Sequence, residues 1–453
     1  MPFSISISQL SEVLLATPKS LTDTAKSYLI SGVSTDTRSI QCGDLFVALQ
    51  GSNFDGHEFV QTAVAKGAVA VVTGKDLGSQ VGEEIPQLVV KDTLQAYQAL
   101  AQWWRNHLRI PVIGVTGSFG KTTTKELIGA LLATQGKVLK TQANYNNEIG
   151  VPKTLLELNS EHDFAVIEMA MRGQGEIALL SKIVHPNIGV ITNVGTAHIG
   201  RLGSVEAIAQ AKCELLTEMP EDSIAILNAD NPLLMATAER LWQGKTVTYG
   251  LENGDLQGQL VDGQTMMVEG INLPLPLPGR HNAQNYLAAL AVAKVLGIDL
   301  TQFSQGLAVQ LPEGRAKRYD LPNDLMILDE TYNAGLESMV AALHLLAQTP
   351  GKRHIAVLGT MKELGDRSAQ LHFQVGETVK QLNLDQLLIL VDDPETQEIA
   401  NGAAGIPCEC FTNHQAIVDR LKELVQSGDR ILFKASHSVA LDKVVNQFRQ
   451  LVN

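Results

Sequence analysis

A glycine-rich stretch that ends in a lysine and threonines is the part of this sequence best suited to chemistry. It runs from Ile110 to Thr124 and reads I-P-V-I-G-V-T-G-S-F-G-K-T-T-T. Backbone N–H groups of such a loop can surround phosphate oxygens, the Lys121 ammonium adds a point charge, and the Thr122 hydroxyl suits Mg²⁺. The stretch therefore predicts a site for a nucleoside triphosphate, formed by Gly117, Ser118, Gly120, Lys121, Thr122 and Thr123.

Apolar residues on both sides place this loop between a strand and a helix. A β-branched run from Ile110 to Val115 precedes it, and apolar residues recur at helical spacing from Lys125 to Leu132. Phosphate then lies at the positive end of the helix. The spacing differs from G-x-x-x-x-G-K-[ST], which has glycine where Val115 stands, and a glycine-rich connection without function is the alternative reading.

Polar residues also follow two later apolar segments, Phe164 to Glu168 and Asn187 to Asn193, which we predict to be parallel strands. Ligands of parallel sheets bind beyond the carboxyl ends of the strands. We therefore expect Glu168 and His198 to face the phosphate loop, with Glu168 as a ligand of Mg²⁺. A solvated acid at a strand end and a structural histidine are the competing interpretations.

Two further polar clusters are candidate binding groups. Asn282 lies near the start of a strongly apolar helix, and its carboxamide can donate to and accept from an adenine edge, although capping of that helix is the alternative. Near the N-terminus, S-T-D-T-R places Arg38 in a loop where an anion could bind. Composition alone favours a surface ion pair between Asp36 and Arg38.

Composition bounds the class of protein. The 453 residues are 45% hydrophobic, which predicts two or three domains with ample cores. The net charge of −13 argues against nucleic-acid partners and anionic membranes. The sequence contains neither a basic leader followed by an apolar segment nor a long unbroken apolar run, so we expect no transmembrane segment and a cytoplasmic location. Four cysteines in this length predict free thiols rather than a disulfide framework.

The order of apolar segments predicts an α/β protein of three domains. Residues 1–85 form a small α/β unit, and residues 86–312 alternate strands and helices as a mostly parallel sheet does. Within that second unit, Gly250 to Leu277 is predicted to add a short antiparallel extension. Residues 313–453 alternate again, and Pro312 to Gly314 is the clearest hinge.

Several longer motifs together resemble those of the Mur ligases, ATP-dependent enzymes that add amino acids to the uridine diphosphate muramyl precursor of peptidoglycan. The resemblance covers essentially the whole chain and accounts for Val115 in the phosphate loop. Members that add D-alanyl-D-alanine carry L-G-x-M-x-E-L-G, which stands here at Leu358 to Gly365. The D-N-P at Asp230 to Pro232 lies in the central unit and is not the D-N-P-R of MurE enzymes. The other motifs that carry the resemblance are S-T-D-T-R, D-G-H, N-Y-N-N-E-I-G-V-P, I-E-M-A-M-R-G-Q-G-E-I, T-N-V-G-T-A-H, A-K-C-E, P-G-R-H-N-A-Q-N and D-E-T-Y-N-A.

The resemblance implies an N-terminal domain that binds the uridine diphosphate precursor, a central P-loop-type ATPase domain, and a C-terminal Rossmann-like domain. The last of these would bring in the dipeptide and close on ATP. Implied cofactors are ATP and Mg²⁺, and implied partners are the small-molecule substrates of a monomer. Implied catalytic residues are Lys121, Glu168, His198 and Lys212, and implied metal ligands are Thr122, Glu168, His198 and Lys212. Implied contacts to ATP outside the loop are Asn282, Arg315 and Asp329, and implied substrate contacts are Thr37, Arg38, Asn146, Asn147, Tyr332, Asn333 and Lys434.

Lys212 matches a lysine that is commonly carbamylated in the family, although spacing alone would make Lys212 and Glu214 an exposed helical pair. The implied reaction joins D-alanyl-D-alanine to UDP-N-acetylmuramoyl-tripeptide through an acyl phosphate. The third unit departs from the family pattern at Gly335, Thr360 and His437, which bears on dipeptide recognition. Two alternatives stay open: a MurE-like ligase that adds a single amino acid, and a switch that binds ATP without ligating.

Overall fold

Three larger sheets, one in each unit of the chain, organise the computed structural model, which describes residues 3–452 apart from residues 21, 52 and 83. The sheets have five, nine and six strands, are mostly parallel, and are interspersed with helices. The predicted α/β class with three units is confirmed. Within the described residues, no helix is both long and apolar enough to cross a bilayer.

The first unit has a five-stranded sheet in the order β2-β7-β6-β5-β4, in which only the β2–β7 pair is antiparallel. Its strand β7 lies beyond residue 85, where the sequence placed the end of the first domain. The elements are β1 (Ile5–Ser6), α1 (Ile7–Val13), β2 (Thr17–Lys19), α2 (Asp23–Lys26), β3 (Leu29–Ile30), β4 (Gly32–Ser34), β5 (Asp44–Val47), α3 (Val60–Ala65), β6 (Ala70–Thr73) and β7 (Gln87–Val89).

The central unit has a nine-stranded sheet in the order β16-β15-β14-β13-β12-β11-β8-β10-β9. Its strands are parallel up to β14, and β14 to β16 form the predicted antiparallel extension. The elements are α4 (Thr93–His107), β8 (Val112–Thr116), α5 (Lys121–Leu132), β9 (Val138–Lys140), α6 (Gly150–Leu156), β10 (Phe164–Glu168), α7 (Glu176–Val184), β11 (Ile188–Ile191), α8 (Ile199–Leu202), α9 (Val205–Thr217), β12 (Ile224–Asn228), α10 (Pro232–Leu241), β13 (Lys245–Gly250), β14 (Leu256–Leu260), β15 (Thr265–Val268), β16 (Ile271–Pro274) and α11 (Arg280–Val295).

Burial explains why the central strands are continuous apolar runs. Every residue of β8 is buried, because helices cover both faces of the parallel sheet. Helix α5 is also largely buried, since α11 packs along it. This helix begins at Lys121, one turn earlier than the apolar spacing predicted, because Gly120 adopts a left-handed conformation (φ 76°) that turns the loop directly into the helix.

The third unit has a six-stranded sheet in the order β17-β18-β22-β19-β20-β21, in which only the β17–β18 pair is antiparallel. The sequence predicts strands at four apolar segments of this unit, L-M-I-L-D-E, R-H-I-A-V-L-G, Q-L-L-I-L-V and R-I-L-F-K-A, and these are β18, β19, β20 and β22, whereas β17 and β21 were not predicted. The elements are β17 (Lys317–Leu321), β18 (Leu325–Asp329), α12 (Leu336–Gln348), β19 (Arg353–Gly359), α13 (Ser368–Gln381), β20 (Gln386–Leu390), α14 (Glu398–Gly402), β21 (Cys408–Phe411), α15 (His414–Leu424), β22 (Asp429–Lys434) and α16 (Asp442–Val452).

Candidate active site

The phosphate loop lies between β8 and α5, at the carboxyl end of the central sheet. At Gly117 the backbone passes so close to β11 that a Cβ there would lie 1.9 Å from Thr192 Oγ1. The Lys121 ammonium donates a hydrogen bond of 2.8 Å to the Gly117 carbonyl, back across the loop. Burial lowers the pKa of Lys121, and the nearby Glu168 carboxylate opposes that shift. The loop thus presents backbone amides and one cation at the start of a helix, as anion binding requires.

Glu168 ends β10 beside this loop and is almost fully buried. Its carboxylate accepts hydrogen bonds from Thr122 Oγ1 at 2.9 Å and from Asn146 Nδ2 at 2.8 Å. The Lys125 ammonium lies 3.9 Å away. The structure thus brings Glu168 to the loop and Asn146 beside it, and a hydroxyl and a carboxylate are oxygen donors that fit Mg²⁺.

His198 and Lys212 complete the predicted metal set but do not contact Glu168. The His198 Nδ1 atom lies 2.5 Å from Glu363 Oε2 of the third unit. Burial and the cations Lys121 and Lys212 lower the pKa of His198. The described residues contain no cluster of three or more histidine, cysteine, aspartate or glutamate side chains that could hold a metal by themselves. A cation at this site would therefore need oxygen donors from a bound phosphate or from water in addition to the side chains.

The Lys212 side chain lies on the buried face of α9. The interpretation of Lys212 and Glu214 as an exposed helical pair is therefore wrong. Glu214 instead accepts hydrogen bonds from the backbone N–H groups of Gly175 and Ala178, at 2.7 and 3.2 Å. Within the described part of the chain, the Lys212 amine has no hydrogen-bonding partner. Burial and then the Lys121 charge lower its pKa well below the ordinary value, which favours the neutral amine.

A cavity of about 260 Å³ lies between the phosphate loop and the third unit. The central unit contributes the loop, Glu168, His198 and the first turn of α11 to its wall. Predicted residues that line the cavity are Ser118, Gly120, Lys121, Thr122, Thr123, Asn146, Glu168, His198, Asn282, Arg315, Tyr332, Asn333 and Lys434. The structure therefore gathers most of the predicted site around one space.

Asn282 lies within α11 rather than at its cap, so the capping interpretation is wrong. The cap is Gly279, and the Asn282 carboxamide donates to the Pro278 carbonyl at 2.7 Å. The neighbouring His281 also lines the cavity, and burial, helped by the Lys434 charge, lowers its pKa to about 4. This end of the cavity presents neutral polar groups.

The third unit closes the other side of the cavity with an arginine stacked on a tyrosine. The Arg315 guanidinium carbon lies 3.9 Å from the centre of the Tyr332 ring. Its Nε is buried and has no hydrogen-bonding partner among the described residues, so it remains available to an anion. The Lys434 ammonium donates to the Asn333 carbonyl at 2.9 Å and lies 4.0 Å from Glu330 Oε2. Burial lowers the pKa of Lys434 and raises that of Glu330.

Asp329 and Asn147 do not line the central cavity. Asp329 accepts hydrogen bonds from the backbone and hydroxyl of Thr331, and it lines an adjoining cavity of about 650 Å³ that shares Arg315 with the first. The Asn147 carboxamide accepts hydrogen bonds from the backbone at the start of α6, including one of 2.9 Å from Gly150, instead of lining the central cavity.

A separate cavity of about 540 Å³ opens in the first unit and is lined by Thr37, Arg38 and two stacked rings. The rings of Phe54 and Phe59 lie 5.6 Å apart, and Ile149 of the central unit completes the wall. The surface ion pair favoured from composition is present, because Arg38 Nη2 lies 2.6 Å from Asp36 Oδ2. The hydrogen bonds from Arg38 lower the pKa of Asp36 to about 2.

Comparison with known families matches all three units in order. The first matches the Mur ligase family catalytic domain at residues 29–105, and the second matches the Mur ligase middle domain at residues 115–293. The third matches the Mur ligase glutamate ligase domain at residues 314–437. The chain belongs to the Mur ligase family.

Individual Mur ligases align over almost the whole chain. A Synechocystis sp. protein named UDP-N-acetylmuramoyl-tripeptide--D-alanyl-D-alanine ligase is 58% identical over 94% of both chains. MurF from Acinetobacter baumannii superposes with a TM-score of 0.89 at 31% identity, covering 99% of both chains. The MurF ligase from Thermotoga maritima in complex with ADP superposes with a TM-score of 0.83 at 30% identity, covering 93% of this chain and 97% of that one.

Thr360 and His437, two of the expected departures from the family pattern, have specific contacts. Thr360 is buried and donates a hydrogen bond to the Asp392 carboxylate. The His437 ring lies 5.3 Å from that of Tyr332 and packs on it. A carboxylate therefore lies beside Thr360, and His437 supports a ring that lines the central cavity.

Glu330 and Glu337 line the central cavity but were not predicted from the sequence. Glu330 lies beside Lys434 in the central cavity, and Glu337 contacts the central unit from the first turn of α12. The alternation of side chains along β18 could have indicated Glu330, since consecutive strand residues face opposite sides. Asp329 faces the adjoining cavity, and Glu330, the next residue, lines the central one.

Proposed function

We propose that this chain is an ATP-dependent ligase that joins D-alanyl-D-alanine to UDP-N-acetylmuramoyl-tripeptide in peptidoglycan precursor synthesis. The single observation that carries this proposal is the central cavity, which has a phosphate loop on one side and Arg315, Tyr332 and Lys434 on the other. Such a space lets a triphosphate tail and a second reactant meet away from bulk water. The name shared by its relatives supplies the substrate pair.

We assign the precursor to the first unit (the predicted residues 1–85 together with β7), ATP to the central unit that follows it up to residue 312, and the dipeptide to the third unit (313–453). The cavity at Thr37 and Arg38 supports the first assignment, because stacked phenylalanine rings suit a flat base and an arginine suits a diphosphate. The phosphate loop of the central unit supports the assignment of ATP. The assignment of the dipeptide is supported by Tyr332, Asn333 and Lys434, which line the third unit's side of the central cavity.

The proposed ligation has two steps, phosphoryl transfer and amide formation. A carboxylate oxygen of the tripeptide attacks the γ-phosphorus of ATP, the bond to the β-phosphate oxygen breaks, and ADP leaves. The amine nitrogen of D-alanyl-D-alanine then attacks the acyl carbon, the carbon–oxygen bond to phosphate breaks, and the nitrogen loses a proton. Because the first step brings two anions together, it depends on cations fixed around the transferred group.

The chain's own residues provide part of that positive charge. Lys121 and the N-terminus of α5 would contact the phosphates from the central unit, and Arg315 would contact them from the third unit through its unpaired Nε. Of the predicted set, Thr122 and Glu168 would hold Mg²⁺ through their own oxygens, with a bound phosphate completing the donor set, and Lys212 would offer oxygens only as a carbamate. When bound, Mg²⁺ would neutralise charge on the phosphate oxygens.

Mass spectrometry of the reaction products tests the proposal directly. The chain is incubated with ATP, Mg²⁺, the tripeptide precursor with diaminopimelate or lysine at its third position, and a panel of amines that includes D-alanyl-D-alanine and single amino acids. We expect one dipeptide added and one ADP released per product. Preference for a single amino acid would indicate a MurE-like ligase, and ADP release without product would indicate a switch.

We further expect a monomer located in the cytoplasm, where ATP and the nucleotide-linked precursor are found. Sedimentation of the purified chain at micromolar concentration tests the first expectation, and fractionation of cells tests the second.

A further inference from the structure

Two glutamates of the third unit, Glu337 and Glu363, hold one loop of the central unit, residues 195–201, which runs into α8. The Glu337 carboxylate accepts hydrogen bonds from Thr196 N at 2.7 Å and from Thr196 Oγ1 at 3.1 Å. The Glu363 carboxylate contacts His198 at 2.5 Å and Arg201 at 3.1 Å. These contacts join the two units without involving any atom of the phosphate loop directly.

The same loop is fixed from its other side by Ser118 of the phosphate loop. The Gly195 backbone N–H donates to Ser118 Oγ at 2.9 Å, and the Ser118 backbone N–H donates to the Asn193 carbonyl at 3.1 Å. Ser118 and Asn193 are both buried. Residues 195–201 therefore lie between the phosphate loop and the third unit and are hydrogen-bonded to both.

Gly195 permits this close approach. A Cβ at Gly195 would lie 2.6 Å from Glu337 Oε1 and 2.7 Å from its Cδ, so any larger residue would displace the carboxylate. Glu337 itself lies in the first turn of α12, a 13-residue helix whose N-terminus favours a negative charge. Its position is thus set by α12 on one side and by the bare backbone of Gly195 on the other.

We infer that Glu337 is a positioning residue that couples the seating of the third unit to the phosphate loop through Thr196, Gly195 and Ser118. Glu363 is the second point of attachment on the same loop. This inference rests on the proposed ligase function only for its kinetic readout, because the hydrogen bonds themselves can be tested without substrates.

The coupling predicts a specific kinetic signature. The Glu337 contacts exist only when the third unit is seated, and that unit also delivers Arg315 to the cavity. Losing the Glu337 contacts lowers the fraction of molecules in which the third unit packs against residues 195–201. Binding of ATP can restore that fraction by mass action. Glu337→Ala should therefore raise the KM for ATP, roughly tenfold for a lost hydrogen bond to a charged acceptor, and leave kcat within about threefold.

Hydrogen–deuterium exchange tests the geometry in the chain without ligands. Glu337→Ala should speed exchange in the peptide that covers residues 195–201, because the Thr196 N–H loses its acceptor. The matched control is Glu377→Ala, which removes an exposed glutamate from α13 of the same unit and should leave that peptide unchanged. Equal exchange in Glu337→Ala and the parent chain would overturn the inference even if the chain ligates normally.

Two further variants separate hydrogen bonding from simple destabilisation. Glu337→Gln keeps two polar atoms for Thr196, whose hydroxyl can accept instead of donate, and should restore KM to within about twofold. Ser118→Ala combined with Glu337→Ala should raise KM less than the product of the two single effects, since both break one chain of contacts. Thr196→Val removes only the hydroxyl contact to Glu337 and keeps the backbone one, so its rise in KM should be smaller than that of Glu337→Ala. Strict multiplication in the double variant, or a Gln variant as impaired as Ala, would contradict the proposed route.

Discussion

Thr122 Oγ1 donates a hydrogen bond of 2.9 Å to Glu168 Oε2, and this contact joins the first turn of α5 to the end of β10. The two strands that precede these residues are adjacent and parallel, with Glu168 opposite Val115 in register. The pairing of these two strands therefore fixes the carboxylate beside the loop. It makes Glu168 the best-placed anionic group for a cation that also contacts phosphate.

Glu168→Gln should raise the Mg²⁺ concentration needed for half-maximal ligation by about tenfold or more, because an amide is a weaker ligand than a carboxylate. The measurement is a Mg²⁺ titration of product formation at saturating ATP. Glu161→Gln, which alters an exposed carboxylate paired with Lys137, is the control and should titrate like the parent chain. An unchanged titration in Glu168→Gln would exclude this residue as a ligand.

Lys121→Ala should reduce ligation by about a hundredfold to a thousandfold, since one fixed cation is lost where charge accumulates. ADP release that depends on the tripeptide is the quantity to measure. Lys137→Ala removes an exposed lysine that belongs neither to the loop nor to the central cavity and should have no effect. Near-normal turnover by Lys121→Ala, with a thermal unfolding midpoint like that of the parent chain, would contradict the role of this lysine.

His281 should make the folded chain lose stability in mildly acidic solution. Its pKa is lowered from 6.5 to about 4 by burial, so the unfolded state binds the extra proton first. The stabilisation is complete above pH 6.5 and declines as the pH falls towards 4, by up to about 3 kcal/mol over that interval. Thermal unfolding midpoints of the parent chain and His281→Gln, compared at pH 7, 6 and 5, should differ more as the pH falls, with the parent chain losing more, and parallel curves would refute the neutral imidazole.

The sequence predicted the central sheet well because its strands are buried on both faces. The run from Phe164 to Ile167 is apolar without a break and is followed by Glu168, and strand β10 has the predicted bounds of Phe164 and Glu168. Strand β17 reads K-R-Y-D-L and is half exposed, so it carries no such signal. The start of α5 was misplaced because β-branched threonines are poor helix formers and only the loop before them fixes the first turn.

The sequence predicted those site residues that lie in a single motif or at a strand end. It did not predict the contacts that form where two units meet. Lys121, Thr122 and Glu168 follow from strand ends and loop composition. The contact between His198 and Glu363 joins residues 165 positions apart and depends on how the third unit is seated. Burial of Lys212 had only a faint signal, the small apolar neighbours Ala211 and Cys213, because a charged residue is rarely fully buried.

Lys212 should react with carbon dioxide. Its amine is buried, and burial together with the Lys121 charge favours the neutral form, which is the nucleophile that forms a carbamate with loss of one proton. Carbon-13 NMR of the chain in ¹³C-bicarbonate should show one carbamate signal that disappears in Lys212→Ala. Lys125 is a matched contrast, because it is equally buried but its amine is already occupied, donating to the Thr141 carbonyl at 2.7 Å and lying 3.0 Å from Glu126. The signal should therefore persist when Lys125 is replaced by methionine, and its absence from the parent chain would show that burial leaves the Lys212 amine unreactive.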